Sequence, residues 1–160
     1  MVNLLALAAD LPQVQFEPGA TVVREHDVAG GLWVLISGRL EVRKGEVVVT
    51  TVTKPGALIG EISLLLNRAY SATVVATSPT RMYYAADGAA MLDSHPAIMR
   101  LVAEGLADRL SFVTTYLADL KHQYGDAPGL AMVSEVLREL AEHQPPPARP
   151  GSLRDPDPDY

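Results

Sequence analysis

The chain has 160 residues, of which 48% are hydrophobic and 20% charged, and this balance suits one domain with an apolar core. Its net charge of −6 argues against non-specific binding to nucleic acid or to an anionic membrane surface. The sequence has no cysteine, which excludes disulfides, thiolate metal sites and cysteine nucleophiles. No apolar run approaches the ~20 residues of a membrane span, and no export signal is recognisable, so the expected location is cytoplasmic.

The first half of the chain has the pattern of a β domain. A short helix is predicted for residues 1–10, ended by Leu11-Pro12. Beyond it, turn signals such as Pro18-Gly19 and Pro55-Gly56 recur about every 8–12 residues, the spacing of a sandwich, barrel or jelly roll. The pair Gly30-Gly31 permits backbone conformations that are closed to other residues. About eight short strands are predicted: 14–17, 21–24, 32–36, 39–43, 47–53, 57–59, 74–76 and 80–85.

From residue 87 onwards the pattern changes to helices. Asp87 is the expected N-cap of a short helix that ends near Ser94, and Pro96 is expected to open a second helix capped by Ser94 or His95. The second helix is predicted to end at residue 123 or 124, and a last amphipathic helix is predicted for 130–143. The predicted division is therefore a domain of residues 1–124, an added helical segment of residues 125–143, and a proline-rich tail of residues 144–160 that is extended or disordered.

The long helix carries an apolar stripe with the spacing of a coiled coil. Its residues lie four and three positions apart in turn: Met99, Ala103, Leu106, Leu110, Val113, Leu117, Leu120 and Tyr124. The pattern predicts a homodimer that pairs through this seam. The alternative is that the stripe packs on the β domain of its own chain. A second apolar line is expected to face that domain: Ile98, Leu101, Val102, Gly105 and Phe112.

The segment 60–74 joins one predicted helical turn to a polar elbow. Gly60 opens the turn at 61–66, so backbone N–H groups without helical partners point from its N-terminus, as they do in anion sites. The Glu61 carboxylate cannot bind phosphate, but it can accept a hydrogen bond from a sugar hydroxyl. Because Arg68 and Ser71 follow within a short loop, this pattern predicts a site for a sugar phosphate.

Other chemistry finds no support in the sequence. The four histidines, at positions 26, 95, 122 and 143, show no metal-ligand spacing, so neither a metal site nor a cofactor is predicted. There is no Gly-x-Ser-x-Gly elbow, and there is no glycine motif of a phosphate loop or a dinucleotide fold. An enzyme is therefore not expected.

Seven segments share their order and spacing with one known family: Phe16–Gly19, Glu25–Asp27, Leu32–Leu35, Ser37–Val42, Pro55-Gly56, Leu58–Leu65 and Ser71–Val74. They resemble the cyclic-nucleotide-binding domain family, which includes the bacterial catabolite activator protein and the regulatory subunits of cAMP-dependent kinase. The resemblance covers roughly residues 13–123. It implies a mostly β fold, a double-stranded β-helix (jelly-roll) β-roll of about eight strands with an internal phosphate-binding-cassette helix. A short N-terminal and a long C-terminal helix would flank it, as in a stand-alone bacterial-type member without a helix-turn-helix.

The resemblance also implies roles for single residues, with cAMP or cGMP as ligand. Glu61 would accept the ribose 2′-hydroxyl, the N–H groups of Ile62 and Ser63 would bond the cyclic phosphate, and Ser71 would bond it from the other side. The implied ligand-binding set is Gly60, Glu61, Ile62, Ser63, Arg68, Tyr70, Ser71, Ala72 and Thr73. Candidates for the base pocket and its lid are Val49, Leu58, Val74, Phe112 and Tyr116.

One position departs from the family pattern in a way that bears on the ligand. The family has an arginine immediately before the residue matched by Ser71, and this chain has Tyr70 there. Tyrosine cannot form the charge-assisted fork of an arginine with phosphate, and that loss costs ~2–4 kcal/mol of binding. Arg68, two residues earlier, is the candidate replacement; the alternatives are that it is a solvated loop residue or a partner of Glu61. A lesser departure is His26, where the family usually has a glycine in a tight loop.

Two functions follow from the sequence. The first is a sensor that binds a cyclic nucleotide and relays it through the C-terminal helix to a protein partner. The second is a dimeric interaction scaffold that has lost the ligand, in which Glu61 is kept because its charge stabilises a helix N-terminus. Direct DNA binding is not predicted, because the helix at 130–143 has Arg138 as its only lysine or arginine.

Overall fold

The computed structural model describes residues 3–125 and 131–142. Eight strands form the β part: β1 (Gln13–Phe16), β2 (Thr21–Val23), β3 (Leu32–Ser37), β4 (Leu40–Lys44), β5 (Val47–Val52), β6 (Leu58–Ile59), β7 (Thr73–Ala76) and β8 (Thr80–Ala85). The described helices are α1 (Leu4–Leu7), α2 (Glu61–Leu65), α3 (Gly88–Ser94), α4 (Pro96–Tyr124) and α5 (Ala131–Glu142). The predicted β-roll with one internal helix and a long C-terminal helix is confirmed.

The strands form two antiparallel four-stranded sheets. One has the order β1-β8-β3-β6 and the other the order β2-β7-β4-β5. Within the second sheet, Val42 of β4 pairs with Val74 of β7, and Arg43 pairs with Thr73. This register places the last residue of β4 beside the segment that leads into β7.

Strand β3 contributes to two apolar clusters because successive side chains point to opposite faces of a strand. Leu32 and Val34 are fully buried in a cluster that includes α1, α3 and the start of α4. Leu35 is fully buried in the other cluster, together with Leu40 of β4 and Met82 of β8. The sequence predicted a central strand that is apolar on both faces, and the two clusters confirm it.

Strand β5 is an edge strand with exposed apolar side chains. Val47, Val48 and Val49 are 66%, 52% and 59% exposed. Its pairing with β4 is irregular, since Val42 opposes Thr50 whereas Arg43 opposes Val48. Val49 is therefore the extra residue of a β-bulge, a feature that bends a strand and interrupts its ladder.

The helix starts in the second half follow the predicted caps. The Asp87 carboxylate accepts a hydrogen bond from the Ala90 N–H at 2.9 Å, which caps α3. The sequence left Ser94 and His95 open as the cap of α4, and the structure selects His95. Its Nδ1 accepts a hydrogen bond from the Ala97 N–H at 3.1 Å, and its carbonyl oxygen accepts one from the Ile98 N–H.

Helix α4 has two parts with different surroundings. Ile98 and Val102, near its start, are 2% and 3% exposed and belong to the core that α1 and α3 share with β3. Two compact units divide the chain within this helix, residues 1–106 and 107–160. In the second unit Leu110 and Val113 are exposed, whereas Leu117 and Leu120 are half-buried.

The structure corrects two expectations. Met99 and Leu106, assigned to the dimer seam, pack against the core of their own unit, so the first turns of the stripe serve the fold. Phe112, which was expected to face the home domain, belongs to the second unit, and that expectation stays a prediction. The N-terminal helix is limited to Leu4–Leu7, because Asn3 caps it and the chain turns at Ala8.

The sequence also predicts a break between the last two helices at 125–129, and the part of it beyond Gly125 lies outside the described residues, as does the tail at 144–160. Among the residues that the structure does describe, no helix is long and apolar enough to cross a membrane.

Candidate functional site

Gly60 is the first residue of the segment 60–74 that the sequence singled out, called the cassette below. Its φ is +101°, in the left-handed region, and a β-carbon there would lie 2.8 Å from the Gly31 carbonyl oxygen. Helix α2 then begins at Glu61 and lacks a side-chain cap, because Gly60 has none to offer. The N–H groups of its first residues consequently have no acceptor within the helix.

Glu61 and Ser63 are the buried polar residues of α2. They are 3% and 5% exposed, while Ile62 between them is 37% exposed. A buried carboxylate at the first position of a helix is stabilised by the positive end of the helix dipole. Across the described residues, no fully buried side-chain nitrogen or oxygen lacks a hydrogen-bond partner. Glu61 is therefore an integrated part of the folded cassette.

The elbow after α2 returns the chain towards the helix. Asn67 has a φ of +52°, a left-handed conformation that asparagine tolerates better than most residues. The Arg68 N–H then donates to the Ser63 carbonyl oxygen at 2.9 Å. Arg68 and Ser63 both line a surface pocket of about 290 Å³. The structure thus brings Arg68, the candidate phosphate cation, close to one of the two predicted phosphate donors.

Tyr70 is tied to the loop 25–31 by three hydrogen bonds. Its hydroxyl donates to the Gly31 carbonyl oxygen at 3.2 Å, and its backbone N–H donates to the Asp27 carbonyl oxygen at 3.0 Å. Its own carbonyl oxygen accepts from the His26 N–H at 2.8 Å. The one hydrogen of its hydroxyl is committed to the loop, and the ring packs beside Gly60.

The loop that holds Tyr70 is shaped by unusual backbone and by close approach. His26 has a φ of +72°, which accounts for the glycine that the family usually places there. Gly30 and Gly31 permit backbone angles that are closed to other residues, but neither of them has a left-handed φ. Position 31 requires a glycine because a β-carbon there would collide with the ring of Tyr84.

The far side of the cassette contacts β4 and the end of β2. The Lys44 ammonium donates to the Ser71 carbonyl oxygen at 3.2 Å. The Thr73 hydroxyl oxygen accepts a hydrogen bond from the Glu25 N–H at 3.0 Å, and the Glu25 carboxylate accepts one from the Gly45 N–H at 2.9 Å. Lys44 and Glu25 could not be recognised from the sequence, because they lie 27 and 48 positions from their partners Ser71 and Thr73 and meet them only through strand register.

The predicted base pocket and lid residues are placed in different surroundings. Val74 is buried and Leu58 half-buried, and both pack with the core of the first unit. Val49 is exposed on the β5 bulge. Phe112 and Tyr116 are 73% and 56% exposed in the second unit. Their roles towards a ligand stay predictions.

Comparison with known proteins identifies the family. A family model described as the cyclic nucleotide-binding domain matches residues 13–94, which is half of the chain. The chain belongs to this family. The resemblance inferred from the sequence segments is thereby confirmed, and the cassette described above lies inside the matched region.

The domain is similar to parts of two larger curated proteins. It is 38% identical over 77 residues to Acetyltransferase Pat of Mycolicibacterium smegmatis, which is 46% of this chain and 23% of that protein. It is 32% identical over 114 residues to the HTH-type transcriptional regulator Cmr of Mycobacterium tuberculosis, which is 68% of this chain and 47% of that protein. The chain therefore spans less than half the length of either relative.

Among solved structures, the domain is similar to the catabolite activator protein of Thermus thermophilus. The TM-score is 0.57 at 24% identity, over 86% of this chain and 81% of that chain. At this identity the likeness shows the fold alone, and it confirms the β-roll with its long C-terminal helix.

Proposed function

We propose that the chain is a regulatory module that binds a cyclic nucleotide in the cassette and relays binding through α4 to a protein partner in the cytoplasm. The observation that carries the proposal is Glu61, a carboxylate that is 3% exposed at the first position of α2, next to left-handed Gly60. A side chain that is this well buried has a fixed position, and its oxygens are of the kind that accept hydrogen bonds from a ribose hydroxyl.

Backbone N–H groups next to Glu61 also support a ligand that carries a phosphate. The N–H groups of Ile62 and Ser63 have no acceptor within α2, and such groups bind anions in many proteins. Ser71 is exposed at the other end of the cassette, and a serine hydroxyl can donate a hydrogen bond to a phosphate oxygen. A hydroxyl acceptor and anion donors within one segment match the chemistry of a ribose cyclic phosphate, and the family assignment of residues 13–94 supports this ligand class.

A second candidate function is favoured by Tyr70. Its hydroxyl is bonded to Gly31, so the position that the family uses for a phosphate-binding arginine stabilises a loop instead. In this alternative the chain keeps the fold without the ligand and acts as a dimeric interaction scaffold. Both candidates include a homodimer through the exposed part of α4, and neither includes direct DNA binding or an enzymatic activity.

Titration calorimetry with cAMP and with cGMP tests the first function. Saturable heat with either nucleotide at up to millimolar concentration is expected, together with a rise of the melting temperature. Glu61→Gln should weaken binding by about tenfold or more, since a charge-assisted hydrogen bond to the ribose becomes a neutral one.

The matched control is Glu46→Gln, an equal loss of charge at an exposed turn, which should leave the affinity unchanged. Absence of heat and of a thermal shift with both nucleotides would reject the sensor and leave the scaffold. Tyr70→Arg adds a second readout, because a cassette that is otherwise intact should gain affinity from the restored cation.

A further inference from the structure

We propose that Lys44, at the end of β4, supplies the positive charge that faces the bound phosphate in place of the cassette arginine. The inference rests on the proposed nucleotide-binding function and assigns a further binding residue to that same site. It concerns a residue outside the cassette, brought to it by strand pairing.

The alternation of β4 places the Lys44 side chain on the same face of the strand as Leu40 and Val42. Leu40 is fully buried and Val42 packs against the same apolar cluster, so alternate β4 residues point inwards. Lys44 is the next residue of this series, because side chains on one face of a strand recur at every second position. The bulge that interrupts the ladder adds its extra residue to β5 and leaves the alternation of β4 unchanged.

The register of β4 against β7 brings Lys44 to the cassette. Arg43 pairs with Thr73, so the following residue lies beside Ala72 and Ser71. The Lys44 ammonium donates to the Ser71 carbonyl oxygen at 3.2 Å, next to the hydroxyl and N–H groups that are predicted to hold the phosphate. An ammonium has three N–H donors, and one bond to a carbonyl leaves two for another acceptor.

The Glu25 carboxylate lies beside the Lys44 ammonium as an ion-pair partner, at a distance longer than a hydrogen bond. The distance from the Lys44 ammonium nitrogen to the nearer Glu25 oxygen is 4.0 Å, whereas the other Glu25 oxygen accepts from the Gly45 N–H at 2.9 Å. The Glu25 side chain is 16% exposed and that of Lys44 66% exposed. The lysine therefore retains the freedom to turn towards an anion over the cassette.

The neighbouring arginine on β4 is directed elsewhere. Arg43 lies on the opposite face of the strand, and its Nε donates to a carboxylate oxygen of Glu41. Arg68, the candidate that the sequence offered, donates its backbone N–H to the Ser63 carbonyl oxygen at the helical end of the cassette. Lys44 is the cation at the serine end, where the family arginine is missing.

The test compares nucleotide affinity by calorimetry in wild type, Lys44→Met and Lys54→Met. Methionine keeps an unbranched side chain and removes the charge, and Lys54 is an exposed lysine in a separate turn. Lys44→Met is expected to weaken cAMP or cGMP binding by about tenfold or more, while Lys54→Met leaves it unchanged. Lys44→Arg should retain most of the affinity.

Trace acetylation measures whether bound nucleotide protects the lysine amines, an effect that is not expected if Lys44 only stabilises the fold. Bound nucleotide should protect Lys44 and leave Lys54 and Lys121 reactive. If wild type binds either nucleotide and Lys44→Met binds it equally well without protection of Lys44, the inference is wrong and the proposed function stands. If only Arg68→Met weakens binding, Arg68 is the cation. If wild type binds neither nucleotide, the proposed function fails and this inference fails with it.

Discussion

The Tyr70 hydroxyl donates a hydrogen bond to the Gly31 carbonyl oxygen at 3.2 Å, and so joins the cassette to the loop before β3. We expect Tyr70→Phe to lower the free energy of unfolding by about 0.5–1.5 kcal/mol, because the Gly31 carbonyl loses its side-chain donor. Chemical unfolding followed by circular dichroism measures this change. Tyr84→Phe is the control, since the Tyr84 ring stacks on Trp33 and its hydroxyl forms no hydrogen bond within the described residues. Equal effects of the two variants would contradict the assigned role of the Tyr70 hydroxyl.

Gly60→Ala is predicted to destabilise the fold by about 1–3 kcal/mol. The added methyl group would occupy a left-handed position and approach the Gly31 carbonyl oxygen, so both strain and overlap oppose it. Thermal unfolding of the purified chain measures the effect. Gly105→Ala is the matched variant, because Gly105 is helical and an added β-carbon meets no atom within 4 Å there. That change should leave stability equal or raise it by up to about 1 kcal/mol, since alanine favours helix.

The left-handed backbone of His26 predicts an order of stability among its variants. His26→Gly should change the free energy of unfolding by less than about 1 kcal/mol, as relief of strain offsets the added freedom of the unfolded chain. His26→Val should lower it by about 1–2 kcal/mol, because a β-branched residue is poorly tolerated at positive φ. Arg24→Val is the control at an exposed neighbour without such a constraint, and should stay within about 0.5 kcal/mol. If the His26→Val variant were as stable as the His26→Gly variant, the left-handed conformation of residue 26 would be refuted.

Substitutions in the exposed part of α4 are expected to disrupt the dimer without unfolding the chain. Leu110 and Val113 are 54% and 46% exposed, so Leu110→Glu with Val113→Glu should abolish the proposed dimer and keep the fold. Sedimentation velocity gives the mass, and circular dichroism gives the folded content. Ala118→Glu adds a charge at an exposed position outside the seam and should leave the dimer intact. A wild type that sediments as a monomer would dismiss the seam.

Local features of this fold were predictable from sequence, and contacts between distant segments were not. The strands and caps follow from short-range signals, such as Pro55-Gly56 before β6 and Asp87 before α3. The bonds from Lys44 to Ser71 and from Tyr70 to Gly31 depend on strand register and loop packing, which no spacing in the sequence reveals. The α4 stripe shows the limit in another way. The spacing of the stripe identifies an apolar face but does not show whether a second chain or the same chain packs against it. Leu106, for example, packs against the core of its own unit.

The position of Val49 in strand β5 has a consequence for behaviour at high concentration. A row of exposed valines on an edge strand is a template on which another chain can add by backbone pairing, which is a route to aggregation. The extra residue at Val49 interrupts the ladder with β4 and bends β5 at the end of that row, and Lys44-Gly45-Glu46 places charges at its beginning. The bulge therefore gives the protein a defence against indefinite strand addition, independently of any ligand.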